Sequence, residues 1–150
     1  MRIWRWAWAL IWQQAWQPRA KAVKLARVVA LLLCAALIVL AVALPNTDLA
    51  WLRADYRWLG QPLNWIEGLW PTVSVVHILL FALLGITAGL ALPGWSLGRL
   101  LLMQVAFVTA TELLQFWAPG RTPRLSDVAV DMLGAALGLM VVRVVRLRPL

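Results

Sequence analysis

The sequence has little cysteine, little histidine and few acidic residues. Cys34 is the single cysteine, so no disulfide can form within the chain, and its place in an apolar run makes it a packing residue. Six Asp and Glu stand against 14 Lys and Arg, which gives a formal net charge of +8. No internal repeat or low-complexity linker is present. One compact bundle without a separate soluble domain is therefore expected.

The sequence has an excess of hydrophobic residues. The chain is 63% hydrophobic and its mean hydropathy is +0.81, whereas a soluble domain is about half apolar. The excess lies in long runs, which indicates a polytopic membrane protein. We predict an all-α fold, an integral membrane four-helix bundle. Its spans are expected at about residues 28–44, 72–92, 97–118 and 126–145.

The N-terminal segment differs from the predicted spans because it alternates tryptophan with basic and amide side chains. Residues 1–24 are predicted to be a cytoplasmic, interfacial amphipathic helix, followed by a four-span domain over residues 25–150. Residues 45–71 are predicted to be a mixed, Trp-rich loop at the membrane interface. The tryptophans of the N-terminal segment recur every fourth residue, at Trp4, Trp8, Trp12 and Trp16.

The basic residues predict the orientation of the chain. With four spans, ten of the 14 Lys and Arg fall on the side that holds both termini. The positive-inside rule then places both termini in the cytoplasm of a bacterial inner membrane, with multiple passes. The net charge is therefore assigned to orientation and to contact with anionic lipids, and no nucleic-acid partner is expected.

Four ionisable residues interrupt the predicted spans: His77, Glu112, Asp127 and Asp131. Charge inside a bilayer is costly, so such groups mark a site by default. At ~1.5 Å per residue, three of them lie within ~7–9 Å of the outer helix ends, with Asp127 at the rim. The sequence therefore predicts one polar cluster near the outer surface.

Helical spacing also predicts that these side chains face one another. Glu112 and Gln115 are three residues apart, and Asp127 and Asp131 are four apart, so each pair shares one helix face. The face of the Asp pair is therefore expected to meet a neighbouring helix rather than lipid.

Further residues near this cluster are predicted to pack helices or to bind a ligand. Gly134 and Gly138 continue the face of the Asp pair with a Gly-x-x-x-Gly spacing, which is a packing motif of membrane helices. Arg121 and Arg124 lie in the short loop above the cluster and are candidate phosphate ligands. Ser126 is a predicted N-cap of the last span, and with Gln115 it is a further candidate ligand-binding residue.

Three segments together resemble the VanZ-like membrane proteins. They resemble the family over about residues 70–140, in an ordered combination of a His, E-x-x-Q, a P-G-R turn and a final S-D helix. Asp131 departs from the family, which usually has Asn there, and Ser74-Val75-Val76 replaces an Asp-Lys often found before the His. The segments are His77 with the run ILLFALLG, Glu112 to Arg121, and Ser126-Asp127 with Asp131, Gly134 and Gly138.

The resemblance implies a membrane protein of the cell envelope, linked to glycopeptide (teicoplanin) susceptibility. We expect an outward-facing polar pocket that binds an anionic lipid or a lipid-linked envelope precursor. Membrane lipids are thus the expected partners, and a homo-oligomer or a membrane partner is a further candidate. No cofactor is firmly implied.

Two alternatives stay open on the sequence alone. A membrane enzyme could use the four ionisable residues to hold a divalent cation, or Glu112 and His77 as acid and base. However, the D-G-x-x-A-R run of phospholipid-headgroup transferases is missing. Alternatively, Arg121 or Arg124 could neutralise Asp127 and Glu112 in a purely structural ion-paired subunit. A transport pathway is disfavoured because only Gln104 continues the polar groups toward the cytoplasm.

Overall fold

The computed structural model describes residues 3–70, 73–122 and 124–147, with side chains from residue 20 onward. The described part of the chain is helical and contains no strand, in agreement with the predicted all-α class. It forms six helices: α1 (Ile3–Ala43), α2 (Asn46–Asp55), α3 (Arg57–Gly68), α4 (Val75–Ala91), α5 (Leu97–Gln115) and α6 (Leu125–Leu147).

Within the described residues, three segments are long and apolar enough to cross a membrane, by length and composition. They are Ala20–Ala43, Leu97–Gln115 and Leu125–Leu147. The fourth apolar helix, α4, has 17 residues, fewer than the ~20 of a typical span. The three long helices support the predicted membrane protein, and four spans stay a prediction.

The N-terminal segment continues directly into the first apolar run. α1 is one helix of 41 residues that passes through Pro18. No break therefore marks the predicted division near residue 24. The predicted tryptophan stripe lies outside the residues whose side chains are described, so the interfacial placement of this segment stays a prediction.

Residues 45–71 contain two helices, so the predicted loop is wrong. The stretch is mixed in overall composition, but its apolar residues have helical spacing. Leu59, Leu63 and Ile66 of α3 are all partly buried, whereas Trp58 and Trp65 are exposed. This spacing places apolar side chains on one face of α3. α3 packs against α2 and against the beginning of α4.

α4 and α6 form the most extensive helix pair of the fold. A Cβ atom on Gly134 would meet the backbone of Ile78, and one on Gly138 would meet the backbone of Ala82. The contacts follow in the same order on both helices, so the helices run parallel. Glycine lets the two backbones touch. The core beside this pair contains Cys34, Ile38, Val42, Phe81, Leu84, Val108 and Ala135.

Candidate functional site

The first element of the site is a contact between α4 and α6. His77 in the first turn of α4 lies with Nδ1 3.1 Å from Oδ1 of Asp131. The Asp131 side chain is 3% exposed, and the His77 side chain is 23% exposed. The carboxylate is thus behind the imidazole, and the imidazole is the part that a ligand can reach.

The glycine contacts of α6 explain why this pair forms. Asp131 stands three residues before Gly134, whose backbone touches Ile78, the residue after His77. Because the helices are parallel and in backbone contact here, the Asp131 side chain, one turn before Gly134, meets His77, the residue before Ile78, across a short gap. The local packing therefore positions the polar pair.

Ser74 holds the beginning of α4 next to this pair. Its hydroxyl accepts a hydrogen bond from the backbone N–H of His77 at 3.4 Å, as an N-cap. The same hydroxyl donates to Oε1 of Glu67 in α3 at 2.8 Å. Ser74 therefore joins α3 to the turn of α4 that carries His77.

Replacing Ser74 by alanine should destabilise the protein more than the same change at Ser96. Both serines cap a helix with a 3.4 Å contact, but only Ser74 also binds a carboxylate on another helix. Losing a cap costs about 1 kcal/mol, and a hydrogen bond to a charged group adds about 1.5 kcal/mol or more. Thermal unfolding in detergent would measure this, and equal losses in the two variants would contradict it.

α5 contributes a second polar pair that is buried. Glu112 is 6% exposed and Gln115 is 4% exposed, and Nε2 of Gln115 lies 3.5 Å from Oε1 of Glu112. As predicted from spacing, they share one face. The same side of α5 also buries Thr111 and Gln104. Neither amide atom of Gln104 has a hydrogen-bond partner among the described residues.

Asp127 lies near the carboxylates but does not join the His77 contact. Its negative charge is close enough to Glu112 and Asp131 to repel theirs. Its carboxylate accepts a hydrogen bond from the Ser126 hydroxyl at 3.2 Å. Ser126 is exposed, and so is Arg124. The structure thus brings His77 and Asp131 into contact and leaves Asp127, Ser126 and Arg124 at the edge of the cluster.

Arg121 makes its hydrogen bond with α1 rather than with a carboxylate. Its Nη2 donates to the backbone oxygen of Ala41 at 3.0 Å, and its buried Nε has no partner among the described residues. Burial, and next the neighbouring guanidinium of Arg53, lower the pKa of Arg121. Within the described residues, no Lys or Arg lies within 4.0 Å of a carboxylate, so the ion pairs of the structural alternative are not formed.

A crevice opens beside these groups, between α1, α2, α3 and α4. Its volume is about 440 Å³, and its walls are mostly Leu, Val, Ile and Phe side chains. Five polar residues line it as well: Arg53, Glu67, Ser74, His77 and Arg121.

A second cavity, here called the polar annex, adjoins the crevice. Its volume is about 530 Å³, and it shares Leu49, Arg53 and Arg121 with the crevice. Asn46 and Asn64 add amide groups to its lining. The two arginines therefore lie where an apolar space meets a polar one.

Five polar residues that line the crevice or the annex were not among the predicted site residues: Asn46, Arg53, Asn64, Glu67 and Ser74. Asn46 donates from Nδ2 to the backbone oxygen of Gly120, which fixes the turn before Arg121 against the start of α2. Gly120 has a φ of 76°, in the left-handed region that favours glycine. The helical spacing of residues 57–68 was the signal that could have identified this region as structured.

The described residues contain no group of three or more His, Cys, Asp or Glu side chains arranged to hold a metal ion. Two of the four predicted candidates, His77 and Asp131, are in contact, and Glu112 pairs with Gln115 instead. The acid–base chemistry that this geometry offers is therefore that of an imidazole backed by a carboxylate.

A family model described as VanZ/LLP1 matches residues 6–146. The match covers nearly the whole chain, and it confirms the resemblance drawn from residues 70–140. Comparison with curated proteins and with solved structures gives no match.

Proposed function

The chain belongs to the VanZ/LLP1 family, and we propose that this membrane protein binds an anionic lipid or a lipid-linked envelope precursor in its crevice. The proposal includes an outward-facing crevice in a bacterial inner membrane, as the distribution of basic residues predicts. A role of the bound lipid in glycopeptide (teicoplanin) susceptibility is part of the same proposal.

The position of Arg53 and Arg121 carries the proposal. Both side chains line the apolar crevice and also the polar annex. A lipid has the same division, with an apolar chain joined to a polar head group. A lipid whose chain lies in the crevice would have its head group between the two guanidinium groups.

The charge of this place favours an anionic head group. Arg121 is partly buried, its Nε has no partner among the described residues, and no carboxylate lies within 4.0 Å of either arginine. Guanidinium groups bind phosphate through paired N–H donors. An anionic lipid would supply a counter-charge in direct contact, which no carboxylate among the described residues supplies within 4.0 Å.

The proposed ligand set differs from the set predicted from the sequence in its second arginine. Arg124 is exposed and lines neither cavity, whereas Arg53 lines both. Gln115 and Ser126 also lie outside the lining of both cavities. We therefore assign the proposed phosphate contacts to Arg53 and Arg121.

Arg121→Ala and Arg53→Ala should each weaken lipid binding by about tenfold or more. The reason is that a hydrogen bond to a charged group contributes about 1.5–3 kcal/mol. Binding of phosphatidylglycerol to the purified full chain in detergent would be measured by native mass spectrometry. Arg124→Ala is the matched control and should bind as the wild type does. Unchanged binding in Arg53→Ala and Arg121→Ala would overturn the proposal.

A membrane enzyme is the second candidate, and the His77–Asp131 contact favours it. With Nδ1 beside the carboxylate, Nε2 of His77 is left for a proton transfer to a group in the crevice. Mass spectra of the same samples would distinguish the candidates, since an enzyme would convert the added lipid to a species of different mass. His77→Gln would stop the conversion while the lipid stays bound.

A further inference from the structure

We propose that the crevice selects a dianionic head group, a phosphate monoester or a diphosphate on a long apolar chain, over a singly charged phosphodiester. This inference rests on the proposed function and names the chemical class of its ligand. This preference depends on how many positive charges lie at the junction of the crevice and the polar annex. It also depends on whether carboxylates of the protein pair with those charges.

Two positive charges stand side by side at this junction. Arg53 and Arg121 line both the crevice and the annex. Burial and then the charge of Arg53 lower the pKa of Arg121, while the carboxylate of Glu112 raises it. An arginine does not lose its proton in a protein, so both charges remain and repel each other. A bound group that carries two negative charges relieves this repulsion more fully than a group that carries one.

Among the described residues, no carboxylate lies within 4.0 Å of Arg53 or Arg121. Glu67 accepts the hydrogen bond of Ser74, and Asp131 is held by His77. Asn46 of the annex uses its amide on the turn at Gly120. Neither arginine is therefore ion-paired among the described residues, and Glu112 acts on the charge of Arg121 from beyond ion-pair distance.

The lining also supplies donors for a group with several acceptor oxygens. Arg121 uses Nη2 to donate a hydrogen bond to Ala41, and its other guanidinium N–H groups remain available to donate to a ligand. The guanidinium group of Arg53 adds further donors. His77 lines the same crevice and has one ring nitrogen that Asp131 does not use. A terminal phosphate presents three oxygens and close to two charges at neutral pH, whereas a phosphodiester presents two oxygens and one charge.

The test compares lipids that have the same acyl chains and differ in the charge and structure of the head group. Purified full chain in detergent at pH 8 is titrated with phosphatidic acid, phosphatidylglycerol and diacylglycerol of identical acyl chains, and binding is measured by native mass spectrometry. We expect phosphatidic acid to bind about tenfold more tightly than phosphatidylglycerol, a difference of about 1.4 kcal/mol. Diacylglycerol should bind most weakly, because it fills the crevice without a phosphate.

Variants connect this preference to the two arginines. In Arg53→Gln and Arg121→Gln the preference should fall to about twofold or less, because one of the two charges is removed. Arg53→Lys retains the charge and should keep most of the preference. Arg143→Gln is the control, since that arginine is on the last turns of α6 and lines neither the crevice nor the annex. Thermal unfolding of each variant checks that it is folded.

The outcomes separate this inference from the proposed function. Equal affinity of the wild type for phosphatidic acid and phosphatidylglycerol would overturn the dianion preference and leave lipid binding in place. If phosphatidic acid and phosphatidylglycerol both bind as weakly as diacylglycerol does, the dianion preference and the proposed lipid binding are both overturned. A tenfold preference that survives Arg53→Gln and Arg121→Gln would also overturn the inference, because the selecting charges would then lie elsewhere.

Discussion

Gly138→Ala is expected to be among the most damaging single changes in this protein, although it adds one methyl group. The new Cβ would run into the backbone carbonyl of Ala82, where α4 and α6 touch. Backbone atoms cannot turn aside as a flexible side chain can, so the helices must separate. Such overpacking costs about 1–3 kcal/mol, which for a chain of this length lowers the melting temperature by about 3–10 °C.

Gly98→Ala is the matched control for this prediction. Gly98 lies in the first turn of α5, and a Cβ there would meet nothing within 4 Å. The change should be neutral or stabilising, because alanine favours a helix by up to about 1 kcal/mol over glycine. Thermal unfolding in detergent, followed by tryptophan fluorescence, compares the two. Equal stability of Gly138→Ala and Gly98→Ala would show that α4 and α6 do not meet at Gly138.

The second large effect is expected at Asp131. Asp131→Ala removes the partner of His77 and leaves a partly buried imidazole without its hydrogen bond, at a cost of about 2–3 kcal/mol. Asp131→Asn retains an oxygen that can accept from Nδ1, so its cost should be below about 1 kcal/mol. The amide variant also has the residue that the VanZ-like pattern usually contains at this position.

A double-mutant cycle with His77→Ala tests whether this effect belongs to the contact. Because the two side chains touch, the coupling free energy between Asp131→Ala and His77→Ala should be about 1–2 kcal/mol. Chemical unfolding in mixed micelles would measure all four proteins. Additive losses would contradict the prediction, since they would mean that the two residues act independently.

The sequence predicted the parts of the site that depend on depth and on helical spacing. His77 and Asp131 are on separate helices, yet both were expected near the outer helix ends, and Gly134 and Gly138 were expected on the packing face. These expectations follow from a fixed rise and a fixed turn per residue. Which ionisable groups make contact does not follow from them, because Glu112 had the same predicted depth and pairs with Gln115 instead.

Arg53 shows what could not be predicted from the sequence. It lies in a stretch whose mixed charge and many tryptophans suggested an interfacial loop, so its charge had no assigned position. Only when α2 is formed does Arg53 line the same cavities as Arg121, which is far from it along the chain. The sequence instead indicated Arg124 as the second phosphate ligand, because it is close to the cluster along the chain. In the structure Arg124 is exposed, and no packing holds its side chain near the cluster.

The parallel pairing of α4 with α6 also fixes when the site can form during synthesis. α5 lies between these helices in the chain, so α4 leaves the ribosome well before the helix that it packs against most extensively. Until α6 is inserted, His77 has no carboxylate partner, and the short α4 lacks its main support. The contact between His77 and Asp131 can therefore form only after α6 is inserted, and a chain interrupted before residue 125 lacks this pair.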